Sequence, residues 1–139
     1  MEIIETPNMN IKISKKTVKS LRKKLALVFN KFIRLRDKDK KCISCGVRKV
    51  QQAGHYWSTS QCPHPSMRFN EKNVNGQCTY CNSFLEGNRQ GYREGLLKKY
   101  GKKVLEDLDI QRSFKKSQWG TFEYQSMIKA YKEASKQFS

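Results

Sequence analysis

Gln77-Cys78-Thr79-Tyr80-Cys81-Asn82, set against Cys42-Ile43-Ser44-Cys45 upstream, decides how this chain folds. Each Cys-x-x-Cys offers two thiolates from one tight backbone turn. Two such turns supply the four ligands of a closed tetrahedral zinc site. The 32 residues between Cys45 and Cys78 leave room for a folded insert. A βαβ pattern, the setting of a redox dithiol, surrounds neither pair. Cys42, Cys45, Cys78 and Cys81 are therefore expected to hold structural Zn2+ and to clamp a hairpin against the helix that follows. With its four positions filled, such a site has no place for a reactive water. The fifth cysteine, Cys62, lies in a Pro-rich loop and is expected to be a bystander.

Composition supports a staple of this kind. Only 37% of the 139 residues are apolar, and the mean hydropathy is −0.82. A core that small often needs a metal. The formal net charge is +17. A field of that strength favours a polyanion, with nucleic acid ahead of an anionic membrane surface. The charge is concentrated: residues 12–41 hold 13 Lys/Arg against Asp37 and Asp39, a net +11. That density exceeds what solubility requires and predicts a face that tracks phosphates. The longest apolar run falls short of the roughly 18 residues a membrane helix needs. The acidic N-terminus, Met1-Glu2-Ile3-Ile4-Glu5, lacks an apolar signal core, so a cytoplasmic protein without membrane partners is expected.

The patterning predicts an α+β chain. Residues 1–13 are expected to be poorly ordered, and residues 14–139 to form one domain. Val18, Leu21, Leu25, Val28, Phe29, Phe32 and Leu35 recur at helical spacing, which predicts a basic helix over 14–38 capped by Ser14 or Thr17. Residues 41–60 read as a hairpin, with Val47 to Tyr56 extended. Residues 57–72 read as an irregular loop, Asn73 to Gln77 as a turn or short strand, and Cys78 to Glu86 as a short helix stopped by Gly87-Asn88. Helices fill 91–139: Leu96, Leu97 and Tyr100 lead to Gly101, then Val104, Leu105 and Leu108 follow. Thr121 caps a last helix, with Trp119, Phe122 and Tyr124 packing it on the body.

The insert between the cysteine pairs holds His55 at the end of an expected strand. A neutral imidazole there can take a proton from water near neutral pH. Asn73 follows, and Asn82 comes nine residues later, directly after the second pair. This order resembles the HNH, or ββα-metal, nucleases. The run Gln52-Ala53-Gly54-His55-Tyr56, then Arg68-Phe69-Asn70-Glu71-x-Asn73-Val74, then Gln77-Cys78-x-x-Cys81-Asn82, then Gly87-Asn88, resembles the phage NinG (Rap) recombination protein family. The likeness covers about residues 40–100.

The resemblance implies a zinc-stapled ββα-metal core over 40–90, flanked by N-terminal and C-terminal helices. It implies a structure-selective endonuclease that cuts branched recombination intermediates such as Holliday junctions and D-loops, in a phage or prophage setting. His55 would be the general base, and Asn73 would brace the loop that holds it. Asn82 would bind one divalent ion, Mg2+ or Mn2+, leaving 5′-phosphate and 3′-hydroxyl ends. One position departs from the wider HNH pattern. Many members carry an Asp or His ligand just before the base, where this chain has Gly54. Glu86, four residues after Asn82, and His64, in the loop, are the substitutes the sequence offers.

Lys16, Lys19, Lys23, Arg48, Lys49, Arg68, Arg89 and Arg93 are expected to contact DNA phosphates. Tyr56 and Trp57 would either stack on an unpaired base or fill the core. Symmetric junction cleavage would need two centres, which suggests a homodimer through the first and last helices, although core packing would explain those apolar faces equally well. Two other functions fit parts of the sequence: a non-catalytic zinc-module DNA-binding protein, favoured by Gly54, and a protein-interaction adaptor, disfavoured by the charge.

Overall fold

A computed structural model of the chain describes residues 7–113 and 118–138, with side chains from residue 17. The N-terminal stretch expected to be poorly ordered lies outside the described residues up to position 6. From Pro7 the backbone is helical.

Helix α1 runs Pro7–Arg36, starting seven residues before the earlier cap read from sequence. Proline at the first helical position is well suited to that role, because its missing N–H would have no partner there anyway. The apolar stripe of α1 places Leu25, Phe29, Phe32 and Ile33 in the core. Helix α5 (Thr121–Lys136) lies along this stripe with Tyr124 and Ile128. Tyr131 meets Phe29 edge-on at 4.9 Å, and Phe69 stacks on Trp119 at 5.8 Å. The apolar faces of the first and last helices thus meet each other, the core-packing alternative to a dimer. Phe122, expected to pack inward, is 75% exposed. The N-cap of α5 is Gly120 rather than Thr121, and the Gly120 N–H donates to Glu123 Oε1 at 2.7 Å.

Strands β1 (Gln52–His55) and β2 (Val74–Gln77) form an antiparallel pair with Gly54 opposite Asn75 and His55 opposite Val74. The expected local hairpin over 41–60 shrinks to one bridge between Lys41 and Lys49. The strand partner of β1 lies across the insert instead, which contains the short helix α2 (Pro65–Arg68). After β2 the chain makes a wide helical turn, Tyr80–Phe84, in which Leu85 N–H donates to the Tyr80 carbonyl five residues back. Helices α3 (Arg89–Tyr100) and α4 (Lys102–Gln111) follow, separated by Gly101 at φ +92. They bury Tyr92, Leu96, Leu105 and Leu108 with Tyr56, Trp57, Cys62 and Met67 in a second core.

One buried carboxylate ties three elements together. Asp37, at the end of α1, accepts two hydrogen bonds from Arg36 (2.8 and 2.7 Å) and one from the Gly76 N–H of β2 (2.8 Å). Lys99 of α3 sits 3.6 Å from it. Burial alone would raise the Asp37 carboxyl, but Arg36, Gly76 and Lys99 outweigh it and hold the group at about 2.

Candidate metal centre and adjoining cleft

The first knuckle is a tight turn: Gly46, at φ +69, donates its N–H to the Cys42 carbonyl. The second begins where β2 ends. Together they bring the sulfurs of Cys42, Cys45, Cys78 and Cys81 within 4.8 Å of one another. A zinc tetrahedron with bonds of about 2.3 Å has sulfurs roughly 3.8 Å apart, so the cluster is close to ligating geometry. Cys42, Cys78 and Cys81 are buried, and Cys45 is half-buried. Burial would raise the Cys45 thiol, yet the N–H groups of Arg48 and Val47 and the neighbouring thiols bring it down to about 7. Burial pushes Cys81 up to about 12, against the Asn88 amide. Four thiols packed this closely cannot all ionise without a cation. The donor set therefore fits a soft divalent metal such as zinc.

Outer contacts orient the sulfurs. Arg48 N–H points at Cys45 Sγ (3.5 Å), Cys81 N–H at Cys78 Sγ (3.3 Å) and Asn88 Nδ2 at Cys81 Sγ (3.4 Å). Asn88, read from sequence as a helix stop, starts α3: it is the N-cap, and its side chain accepts from Gly91 N–H. A second feature was not read from sequence. A Cβ on Gly91 would overlap the Ser44 carbonyl, and one on Gly95 would overlap the Ile43 carbonyl. These two glycines let α3 rest directly on the first knuckle. Cys62 stands apart in the second core, as expected of a bystander.

His55 closes β1. Its Nε2–H donates to the Arg68 carbonyl at 2.9 Å, which leaves the lone pair of a neutral ring on Nδ1. Burial lowers the His55 pKa below its usual value; the Arg68 carbonyl opposes this, and the Arg68 charge adds to it. The ring is therefore neutral at pH 7. It lines a cleft of about 240 Å³ together with Ser60, Glu86, Gly87, Arg89 and Tyr92. Glu86 reaches this cleft by a route the sequence did not suggest. The helical turn ends at Phe84, and Glu86, Gly87 and Asn88 then adopt φ values of +51, +95 and +41. This left-handed run carries Glu86 round to the cleft.

Asn73 is fully buried behind the cleft. Its Nδ2 donates to the carbonyls of Trp57 (3.1 Å) and Met67 (3.0 Å), and its Oδ1 accepts from Trp57 N–H (2.9 Å). It braces the 57–67 loop from within, so any part it plays is one of positioning. Asn82 lies against Gly54. Its Nδ2 donates to Gln52 Oε1 at 2.6 Å, and its Oδ1 is 3.0 Å from the point a Cβ on Gly54 would occupy. Asn82 does not line the His55 cleft. His64 is held rather than free. It is 9% exposed and precedes α2, with Nδ1 3.0 Å from Ser66 Oγ. It does not line the cleft either.

The cationic residues divide into two groups. Lys19, Lys23, Arg48 and Lys49 are exposed, while the side chain of Lys16 lies outside the described residues. Arg68, Arg89 and Arg93 are engaged with aromatics or polar groups. Arg89 donates to the Tyr56 carbonyl at 2.8 Å and lies 3.8 Å over the Trp57 ring. Arg112 lies 4.0 Å over the same ring. Arg93 donates to Tyr56 Oη and faces Asp109 at 3.5 Å. Trp57 is thus flanked by two guanidinium groups, and Tyr56 is buried. Both serve as core aromatics rather than as a platform open to a base.

A basic α+β chain whose two Cys-x-x-Cys turns build one metal-type cluster beside a histidine cleft defines a class. Comparison with known proteins supplies the family. The family model described as Bacteriophage Lambda NinG protein matches residues 5–139, and the chain belongs to that family. Protein ninG of Escherichia phage lambda is 40% identical over 103 residues, covering 73% of this chain and 48% of the relative. Protein ninG of Salmonella phage P22 is 37% identical over 109 residues, covering 77% and 52%. The chain spans about half the length of these curated relatives. No solved structure matches it. Among the described residues, no helix is long and apolar enough to cross a membrane.

Proposed function

We propose that this protein is a metal-dependent DNA endonuclease acting on branched recombination intermediates such as Holliday junctions and D-loops. The observation that carries the reading is His55, held neutral by burial, anchored through Nε2 and sharing one cleft with Glu86. Its Nδ1 is the atom that accepts a proton from water as that water attacks a phosphodiester. Arg68 contributes the carbonyl that fixes the ring, and Asn73 keeps the Arg68 segment in place through Met67 and Trp57. In this reading β1, β2 and the turn at Tyr80–Phe84 act as the ββα-metal core, on the frame of a four-cysteine zinc site.

Glu86, which shares the His55 cleft, is the residue that would hold Mg2+ or Mn2+ there, whereas Asn82, the ligand the resemblance implies, lies outside that cleft. Such an ion supplies Lewis acidity at the phosphate and at the departing 3′-oxygen. The exposed lysines of α1 and the Arg48–Lys49 turn supply backbone contacts without base readout, so binding weakens steeply with salt. The test uses a labelled four-way junction and a linear duplex, with and without each ion. Cutting of the junction by the wild type, abolished in His55→Ala with binding retained, supports the proposal. Gly54, which brings no ligand, favours a second reading, a zinc-module DNA-binding protein without catalysis. Tight binding with no nicking under any divalent ion would establish that reading and overturn the first.

A further inference from the structure

Arg89 and Arg93 stand one turn apart on α3, and Arg112 caps the end of α4. All three line one open pocket of about 660 Å³ with Tyr56, Trp57 and Asp109. The three arginines are exposed, yet each is held. Arg89 and Arg112 lie 3.8 and 4.0 Å over the same Trp57 ring. Arg93 is held by Tyr56 Oη and by Asp109. Like charges one helical turn apart, or gathered on one ring, repel. Among the described residues that line the pocket, three guanidinium groups face one carboxylate, a net charge of +2. The start of α3 adds to this field. Arg89 and Gln90 are its first two residues, both line the pocket, and the first turn carries no acid. N–H groups at that position lack partners within the helix, and the helix dipole is positive there. The pocket also adjoins the His55 cleft, because Tyr56 and Arg89 line both.

We infer that this arginine pocket binds a phosphate of the DNA strand whose neighbouring phosphodiester enters the His55 cleft. The role beside the scissile bond rests on the nuclease reading above; affinity for a strand phosphate does not. Guanidinium groups match phosphate oxygens with paired N–H donors, which an ammonium cannot do. Each guanidinium has five such donors, so the bonds from Arg89 Nη1 to the Tyr56 carbonyl and from Arg93 Nη1 to Tyr56 Oη leave others for a ligand. Side chains already held against aromatic rings lose little freedom when the anion arrives. The strand passes Arg89, which serves both sites, and the bound phosphate fixes which phosphodiester faces His55.

The test uses the zinc-loaded chain carrying Trp119→Phe. Trp119 belongs to the other core, and its removal leaves Trp57 as the one tryptophan. Emission is followed as a short oligothymidylate with a 5′-phosphate or a 5′-hydroxyl end is added at low salt, without divalent ions. A saturable change in Trp57 emission is expected. Equal affinities assign the pocket to an internal phosphodiester, and tighter binding of the phosphorylated oligomer assigns it to a terminal phosphate; either supports the inference. Arg112→Ala weakens binding by about tenfold, and Arg112→Lys does not restore it. Lys102→Ala removes the same charge from a side chain that is 83% exposed and outside the pocket, and weakens binding far less. Emission that stays flat while a labelled oligomer saturates the protein overturns the inference. So does wild-type affinity in Arg112→Lys, which marks general charge, or an equal response to an oligoglutamate of matched charge, which marks a protein partner. If Trp119→Phe does not fold, anisotropy of the labelled oligomer with Arg112→Ala, Arg112→Lys and Lys102→Ala decides. The two readings fail separately. A Trp57 response without junction cleavage removes the nuclease and leaves the pocket, whereas junction cleavage with an unchanged KM in Arg112→Ala does the reverse.

Discussion

Replacing Asp37 with Asn keeps the shape of the side chain and removes one charge. In the folded protein the carboxyl is held at about 2 rather than 3.8, and the side chain is only 3% exposed. A shift of that size corresponds to about 2–2.5 kcal/mol of stability at neutral pH. The substituted amide would also leave Arg36 and Lys99 without their anion. Burial and the Arg36 charge already depress Lys99 to about 8. The total cost is therefore about 3 kcal/mol, toward the lower end for breaking a buried pair, since Arg36 and Lys99 keep some solvent. For a chain of this size, 1 kcal/mol moves the midpoint by about 4 °C, so Asp37→Asn should melt roughly 10 °C lower.

The assay is a thermal melt by near-ultraviolet circular dichroism with zinc present, with Lys40→Ala as control. Lys40 is 55% exposed and 3.7 Å from the same carboxylate, so its loss should cost under about 1 kcal/mol. The folded pKa is depressed, so the stabilisation is complete above about pH 4 and disappears only as pH falls through about 2. The gap between wild type and Asp37→Asn should therefore be close to constant between about pH 5 and about pH 6.5, where Asp37 is ionised and Lys99, at about 8, is still charged. A melt within about 2 °C of wild type, or equal losses in the two variants, would refute the reasoning.

Other expectations concern the metal frame and the cleft. Elemental analysis should find about one zinc per chain and none in Cys78→Ser, and a strong chelator should abolish the near-ultraviolet signal, because three of the four sulfurs are core atoms. If His55 is the base, the cleavage rate should fall on acidification with an apparent pKa below 6.5 and be flat by neutral pH, because the folded protein disfavours the imidazolium. An apparent pKa above 6.5 in the pH–rate profile would count against His55. Gly95→Ala should force α3 off the Ile43 carbonyl and destabilise the fold by about 2 kcal/mol or more, whereas Gly46→Ala, with open space around it, should cost only its backbone strain; paired denaturant melts separate the two.

The cysteine frame was legible because two Cys-x-x-Cys turns state their own geometry. The amphipathic stripe of α1 was legible for the same reason, since one helix face records its own burial. What escaped the sequence is long-range. The partner of β1 lies across an insert, so no turn chemistry announced it, and the segment looked like a local hairpin. Gln77, Asn75 and Asp37 are polar residues that periodicity assigns to the surface, yet all three are buried and hydrogen-bonded. Gly91 and Gly95 look like weak points in a helix until the first knuckle is placed against them. Glu86 was placed near Asn82 on the assumption of a regular helix. The wide turn and the left-handed residues after it put Glu86 beside His55 instead.

The half-buried position of Cys45 also sets the path by which an ion leaves the four-sulfur cluster. Cys42, Cys78 and Cys81 are sealed by β2 and α3, while Cys45 sits at the rim beside the open Gly46 turn, with Arg48 stacked on Tyr80 at 4.4 Å close by. Exchange begins with Cys45 letting go, and its thiol, at about 7, is the one most ready to be alkylated once it does. Mass spectrometry of a slow alkylation should find Cys45 modified first, with the other three following together as the metal departs; simultaneous labelling of all four would show that the rim is not the exit.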